Sequence, residues 1–209
     1  MDIELHKVGR RFNRDWVFRN MDYHIISGRR YAVLGPNGSG KSTFLQVVSG
    51  SLTPSEGRIG YRHRSGPVDK DIEVEEVYEH LSLAAPYLEP EESFTLSESI
   101  NFHFRFKNYV PGIDDRGLIS LLGFEKFTHR QVRYFSSGMK QRLKLALAVC
   151  SDTPLLLLDE PTANFDEQGI RWYHSLISRF ASGRTLIVCS NQPREYEFCN
   201  ERISITDFK

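Results

Sequence analysis

The chain has 209 residues, which is more than one average domain of ~150 residues and too few for two large ones, so a single α/β domain with a sizeable extra lobe is expected. Apolar residues at 40% and charged residues at 26% are ordinary for a globular protein, and 27 basic against 27 acidic groups leave no net charge, which argues against a polycation for nucleic acid. The longest unbroken apolar stretch, Leu145 to Cys150, falls far short of the roughly 20 residues of a spanning helix, and Met1-Asp2-Ile3-Glu4 lacks the basic start of a signal peptide, so a cytoplasmic chain is expected.

In chain order, Ile3–Val8 and Tyr23–Ile26 alternate like strands, and after Ser27-Gly28 comes the more apolar Tyr31-Ala32-Val33-Leu34. These read as an antiparallel edge feeding a central strand. A helix is expected from Lys41 to Ser49, ended by Gly50, and a strand at Arg58–Tyr61. The acidic run Asp69–Glu76 reads as a solvated hairpin or turn. In the middle two signals conflict. Thr95-Leu96-Ser97-Glu98 has the Thr-to-Glu spacing of a capping box, yet Ile100–Lys107 alternates with period two. From Gly138 the pattern is clear again: a helix to about Cys150, a buried strand Leu155–Leu158, a helix Glu167–Ala181, a strand Thr185–Cys189 and a last strand Ile203–Ile205. Strands that are apolar throughout and alternate with helices predict a parallel sheet covered on both faces. Cys150, Cys189 and Cys199 are odd in number and lack metal-ligand spacing, so they are expected as reduced thiols. The seven histidines are scattered without ligand spacing.

Gly35-Pro36-Asn37-Gly38-Ser39-Gly40-Lys41-Ser42-Thr43 matches the phosphate-loop pattern GxxxxGK followed by Ser, with an apolar strand before it and a helical stretch after it. The glycines let consecutive backbone N–H groups converge on one anion, the helix N-terminus adds its positive end, and Lys41 brings a full charge to the β- and γ-phosphates. Ser42 is then placed to ligate Mg²⁺. Far downstream, Leu155–Leu158 ends in Asp159-Glu160, an apolar strand delivering two carboxylates. Asp159 is the expected Mg²⁺ residue, and Glu160 the base that orients or deprotonates the attacking water. Just upstream, Phe135-Ser136-Ser137-Gly138-Met139 is a small-residue turn opening a helix, suited to offering hydroxyl and N–H donors to an anion.

Together with Pro161-Thr162-Ala163-Asn164-Phe165-Asp166, this set resembles the ABC-type ATPase domain over essentially the whole chain. The resemblance implies a P-loop NTPase core with an antiparallel β edge subdomain and an inserted α-helical lobe. The domain would be single, with core residues 1–86 and 151–209 and a helical lobe over about 87–150. It also implies a head-to-tail dimer in which Ser136 and Gly138 close over the γ-phosphate at the partner's loop, with Asp166 near the dimer seam. The family signature reads LSGGQ, and here the first serine and second glycine remain. The aromatic on adenine would be Phe12, with Trp16 as second choice. Two family positions depart. No glutamine occurs between Gln46 and Gln131, so Tyr87 takes the approximate place of the Q-loop glutamine, and Asn191 stands where a histidine follows the strand. Asparagine can hold a hydrogen bond to a phosphate oxygen but carries no imidazole charge.

The resemblance implies a slow Mg²⁺-dependent ATPase that acts as the ATP-binding subunit of an ABC transporter. It would dimerise with itself or a paralogous chain, sit at the cytoplasmic face of the membrane and drive a separate permease. Its length is similar to that of the small haem-exporter ATPases of cytochrome c maturation. On a helix, Phe102, Phe104, Phe106 and Tyr109 cannot all share one face, so some aromatic surface is expected either to receive the permease or to fill the small lobe's core. The competing readings are a soluble ABC ATPase acting as a mechanical clamp and a catalytically silent ATP-binding module. The first is disfavoured by a single, neutral, compact copy, the second by Lys41 and Glu160.

Overall fold

A computed structural model describes residues 1–65 and 68–209. The chain forms two compact units: Met1–Leu81 with Thr153–Glu160 and Gly183–Lys209, and Ser82–Asp152 with Pro161–Ser182. Residues 82–86, 151–152 and 161–182, expected with the core, therefore fall in the second unit.

The first unit holds two sheets. Strands β1 (Asp2–Phe12), β2 (Asp15–Ile25), β4 (Glu56–Ser65) and β5 (Val68–Ile72) pair antiparallel in the order β2-β1-β4-β5. This is the expected antiparallel edge, and the acidic run falls on β5 and the turn after it, with the side chain of Asp69 outside the described ones. Strands β3 (Arg30–Leu34), β7 (Leu155–Asp159), β8 (Thr185–Cys189) and β9 (Glu201–Ser204) run parallel in the order β7-β8-β3-β9. Every residue of β7 and β8 is buried, as their unbroken apolar runs require for strands covered on both faces. The last strand lies at Glu201–Ser204, two residues before its expected start, and Ile205 begins a short 3-10 turn.

Helix α1 (Lys41–Val48) joins these sheets. Phe44 meets Phe18 of β2 edge to face at 6.0 Å, and Tyr61 of β4 donates its hydroxyl to the Val47 carbonyl. Full burial of a side chain like Phe44 contributes about 1.5–3 kcal/mol, so this layer anchors the phosphate loop that precedes it. Strand β6 (Leu81–Ala84) carries the chain out of the first unit.

The second unit is helical: α2 (Leu96–His103), α3 (Asp115–Leu122), α4 (Ser137–Val149) and α5 (Glu167–Phe180). The capping box is formed, with the Glu98 amide donating to Thr95 Oγ1 and the Thr95 amide donating to Glu98 Oε2 at 2.7 Å. The cap thus outweighs the alternation, but only in part. α2 stops at His103, and Phe104–Phe106 lie in a turn, so the helix expected over Ile100–Lys107 is shorter than expected. Leu96, Ile100, Leu118, Leu143, Ala146 and Tyr173 are fully buried, and Trp172 Nε1 donates to the Leu121 carbonyl at 2.9 Å. His103 lies beside this core, its Nε2 2.8 Å from the Ser151 hydroxyl, which itself donates to the Leu147 carbonyl. Burial, helped by the Lys107 charge, lowers the His103 imidazole to about 4. The short helix α6 (Pro193–Tyr196) follows β8 in the first unit. Cys150 and Cys189 are buried and Cys199 is half-buried, and none of the three is in a disulfide.

Candidate active site

The turn between β3 and α1 is shaped by three glycines with left-handed backbones. Gly35, Gly38 and Gly40 have φ of 152°, 76° and 108°. At Gly40 a Cβ would stand 2.3 Å from Val17 Cγ1, and at Gly35 one would stand 2.5 Å from Ser39 Oγ, so larger residues are excluded by contact as well as by backbone. The Ser39 amide closes the turn onto the Pro36 carbonyl at 3.0 Å.

The N-terminus of α1 differs from those of the other long helices. α2, α3, α4 and α5 each have a side-chain cap, from Thr95, Asp114, Ser136 and Asp166. α1 has neither a side-chain cap nor an acidic residue in its first turn. Its first amides therefore point into the loop without a side-chain acceptor, the arrangement that suits an anion. Lys41 is buried, and its ammonium donates to the carbonyls of Gly35 at 2.8 Å and Pro36 at 3.2 Å. Both acceptors are neutral, so neither offsets its charge.

Asp159, at the end of β7, is 2% exposed, and neither carboxylate oxygen has a hydrogen-bond partner among the described residues. Burial raises its pKa above the ordinary carboxylate value. The Ser42 hydroxyl, close but outside hydrogen-bond geometry, and the Lys41 charge oppose that shift, while the Glu160 and Glu195 charges add to it. An ionised carboxylate buried without donors is costly unless a cation meets it. With the Ser42 hydroxyl adjoining, the donor set is two hard oxygen ligands beside a phosphate loop, which fits Mg²⁺ with its remaining positions open to water and phosphate.

Glu160 is exposed, with φ of 43° at a non-glycine residue, and its amide donates to the Cys189 carbonyl at 2.9 Å. The bond ties the two carboxylate positions to β8. Just past the end of that strand, Asn191 Nδ2 donates to Asn37 Oδ1 at 2.7 Å. One unit therefore brings together Lys41, Ser42, Asp159, Glu160 and Asn191 with the loop residues Gly35 to Thr43. The Asn37–Asn191 link carried no sequence signal, because the two residues lie 154 positions apart.

Phe12, at the end of β1, is 48% exposed, with the Arg10 guanidinium 4.7 Å from its ring. Trp16 is less available for stacking, since the guanidiniums of Arg11 and Arg19 lie 5.4 and 4.5 Å from its ring. In the second unit Ser136 caps α4 by accepting from the Met139 amide at 3.2 Å, and Asp166 caps α5 by accepting from the Gly169 amide at 2.7 Å. Gly138 is half-buried in the first turn of α4, and Tyr87 is 43% exposed.

The ABC transporter family model matches residues 18–163. An uncharacterized ABC transporter ATP-binding protein of Bacillus subtilis, YybJ, is 31% identical over 198 residues, covering 92% of this chain and 87% of its own. The cytochrome c biogenesis ATP-binding export protein CcmA of Agrobacterium fabrum is 28% identical over 214 residues, covering 100% of this chain and 97% of its own. Among solved structures, the dimeric bacterial ABC transporter cassette MJ0796 aligns with a TM-score of 0.77 at 20% identity, covering 97% of this chain and 94% of that one. The same cassette bound to ADP and Pi aligns at 0.76 with 19% identity, covering 97% and 94% of the two chains. With the phosphate loop, the strand-end carboxylates and a family match spanning both, this chain belongs to the ABC transporter family as an ATP-binding, ATP-hydrolysing cassette.

Proposed function

We propose that the chain is the ATP-hydrolysing subunit of an ABC transporter that closes head to tail with a second copy or a paralogous chain around two ATP and drives a separate permease. The observation that carries the hydrolytic reading is the uncapped N-terminus of α1, with Lys41 donating only to neutral carbonyls and Asp159 orphaned beside it. ATP enters with its phosphates on the loop amides and the Lys41 ammonium, which neutralise charge that builds on the transferring phosphoryl group. Ser42 and Asp159 would hold Mg²⁺, which supplies further charge neutralisation at the β- and γ-phosphates. Glu160 accepts a proton from, or orients, the attacking water, and Asn191 donates from its amide to a phosphate oxygen. Ser136 and Gly138 serve the partner's nucleotide, Asp166 lies near the seam, and the exposed face of Phe12 stacks on the adenine.

Among the described residues no helix is long and apolar enough to cross a membrane. The proposed route to the membrane is therefore a permease docked on the second unit, at the cytoplasmic face. There Phe102 and Phe106 are 49% and 71% exposed and stack edge to face with each other at 5.3 Å, whereas Phe104 is stacked on Tyr109. The relatives carrying export names, such as CcmA, support this reading.

The decisive experiment purifies the protein and measures ATP binding and Mg²⁺-dependent hydrolysis with and without Glu160→Gln. The variant should bind ATP and lose turnover by about 10²-fold or more, and wild-type turnover in the variant removes Glu160 from the base role. Copurification from detergent-solubilised membranes should yield a multispanning protein. A purely soluble partner set overturns the transporter role.

A further inference from the structure

Gln141 is a polar side chain on the buried face of α4, only 4% exposed, and its Nε2 donates to the Pro161 carbonyl at 2.9 Å. A buried amide is costly without such a partner, and the partner chosen is backbone 20 residues along the chain. One turn earlier on the same helix face, a Cβ at Gly138 would lie 3.6 Å from the Asn164 carbonyl. The first turns of α4 thus meet both ends of the segment 161–164. That segment begins immediately after Glu160.

The backbone of Glu160 has little freedom of its own. Its φ is 43°, and it precedes a proline, which further narrows the conformations open to it. Upstream its amide is held by the Cys189 carbonyl. Downstream, Pro161 has no N–H, so its carbonyl is the one backbone group by which it can be hydrogen-bonded, and Gln141 holds it.

We propose that Gln141 is a positioning residue that ties the signature turn Ser136–Gly138 to the backbone of Glu160. This rests on the reading of Glu160 as the base. A displacement of the first turn of α4 is passed through one hydrogen bond and one proline to the carboxylate that handles the attacking water. In a head-to-tail pair the signature turn meets the nucleotide of the partner subunit. The link then makes the base of each chain responsive to ATP held by the other.

The test is Gln141→Leu, which puts an apolar side chain of similar volume in its place and removes the donor, with Gln141→Met as the second variant if the first fails to fold. Steady-state ATPase should show kcat reduced on the order of 10-fold or more with KM for ATP unchanged, since a small misplacement of a reacting group is costly while binding is not. The Hill coefficient for ATP should fall toward one if the wild type is cooperative. In a Glu160→Gln background the same substitution should cause no further loss, because it acts only through Glu160. Unchanged kcat in a folded variant overturns the inference, and so does a loss that multiplies with that of Glu160→Gln. Absence of ATPase in the wild-type protein instead takes down the reading of the site itself.

Discussion

Asn191, just beyond β8, donates its side-chain amide to the side-chain carbonyl of Asn37 in the phosphate loop over 2.7 Å. The bond joins the last residue of the proposed site to the first loop residue with a polar side chain. It is exposed and neutral, so its net contribution is about 1 kcal/mol, or a factor of about five in an equilibrium or rate. Asn191→Ala is expected to lower kcat several-fold while ATP still binds. Asn37→Ala should do the same, and the double variant should be no worse than either single one. Wild-type turnover in Asn191→Ala removes Asn191 from the site.

Asp159 carries a stability cost that its chemistry requires. Its pKa is raised by burial, so the folded protein holds that proton more tightly than the unfolded chain. Stability contributed at this group is therefore greatest at low pH and falls as pH rises from the ordinary carboxylate value through the folded one. Asp159→Asn is expected to raise Tm of the nucleotide-free protein by about 2–4 °C, as removal of roughly 1 kcal/mol of unfavourable burial would, and to abolish Mg²⁺-dependent ATPase. A lower Tm in the variant would show that the orphaned carboxylate is not a cost.

His103 behaves in the opposite sense. Its folded value is lowered to about 4 from an ordinary 6.5, so the unfolded chain binds the proton first. The stability it contributes is complete above about 6.5 and is lost progressively as pH falls toward 4. Thermal melts between those values should steepen with acid in the wild type and flatten in His103→Gln. Identical pH slopes would exclude His103 as the cause.

The exposed aromatic pair gives a separate test of the membrane partner. Phe102→Ser with Phe106→Ser should leave Tm and ATPase of the isolated subunit near wild type while cutting recovery with membranes. Loss of soluble expression would instead show that the rings are needed for folding of the second unit.

Much of the nucleotide-binding half was legible because its physics is local. Consecutive glycines before Lys41 and an apolar run before Asp159 can be read from adjacent residues, and β8 lies at its expected bounds, Thr185–Cys189. The second unit was harder. At Ile100–Lys107 a two-residue period suggested a strand, yet Thr95 and Glu98 nucleate a helix that ends at His103, and the later aromatics owe their spacing to the turn beyond it. Residues 161–182 come after the core strand in sequence but pack with the helices. Contacts such as Asn37 with Asn191 and Gln141 with Pro161 join distant positions through single side chains, and neither periodicity nor motif spacing carries that information.

The left-handed backbone at Glu160 gives evolution a particular slope to run down. A non-glycine residue in that region costs about 1 kcal/mol or more, a cost that the proposed base role of the carboxylate would justify. A gene copy released from the need for turnover would gain stability by mutating this codon to glycine. Among silent descendants of such a chain, glycine at position 160 is therefore an expected early change, favoured by folding and neutral to nucleotide binding.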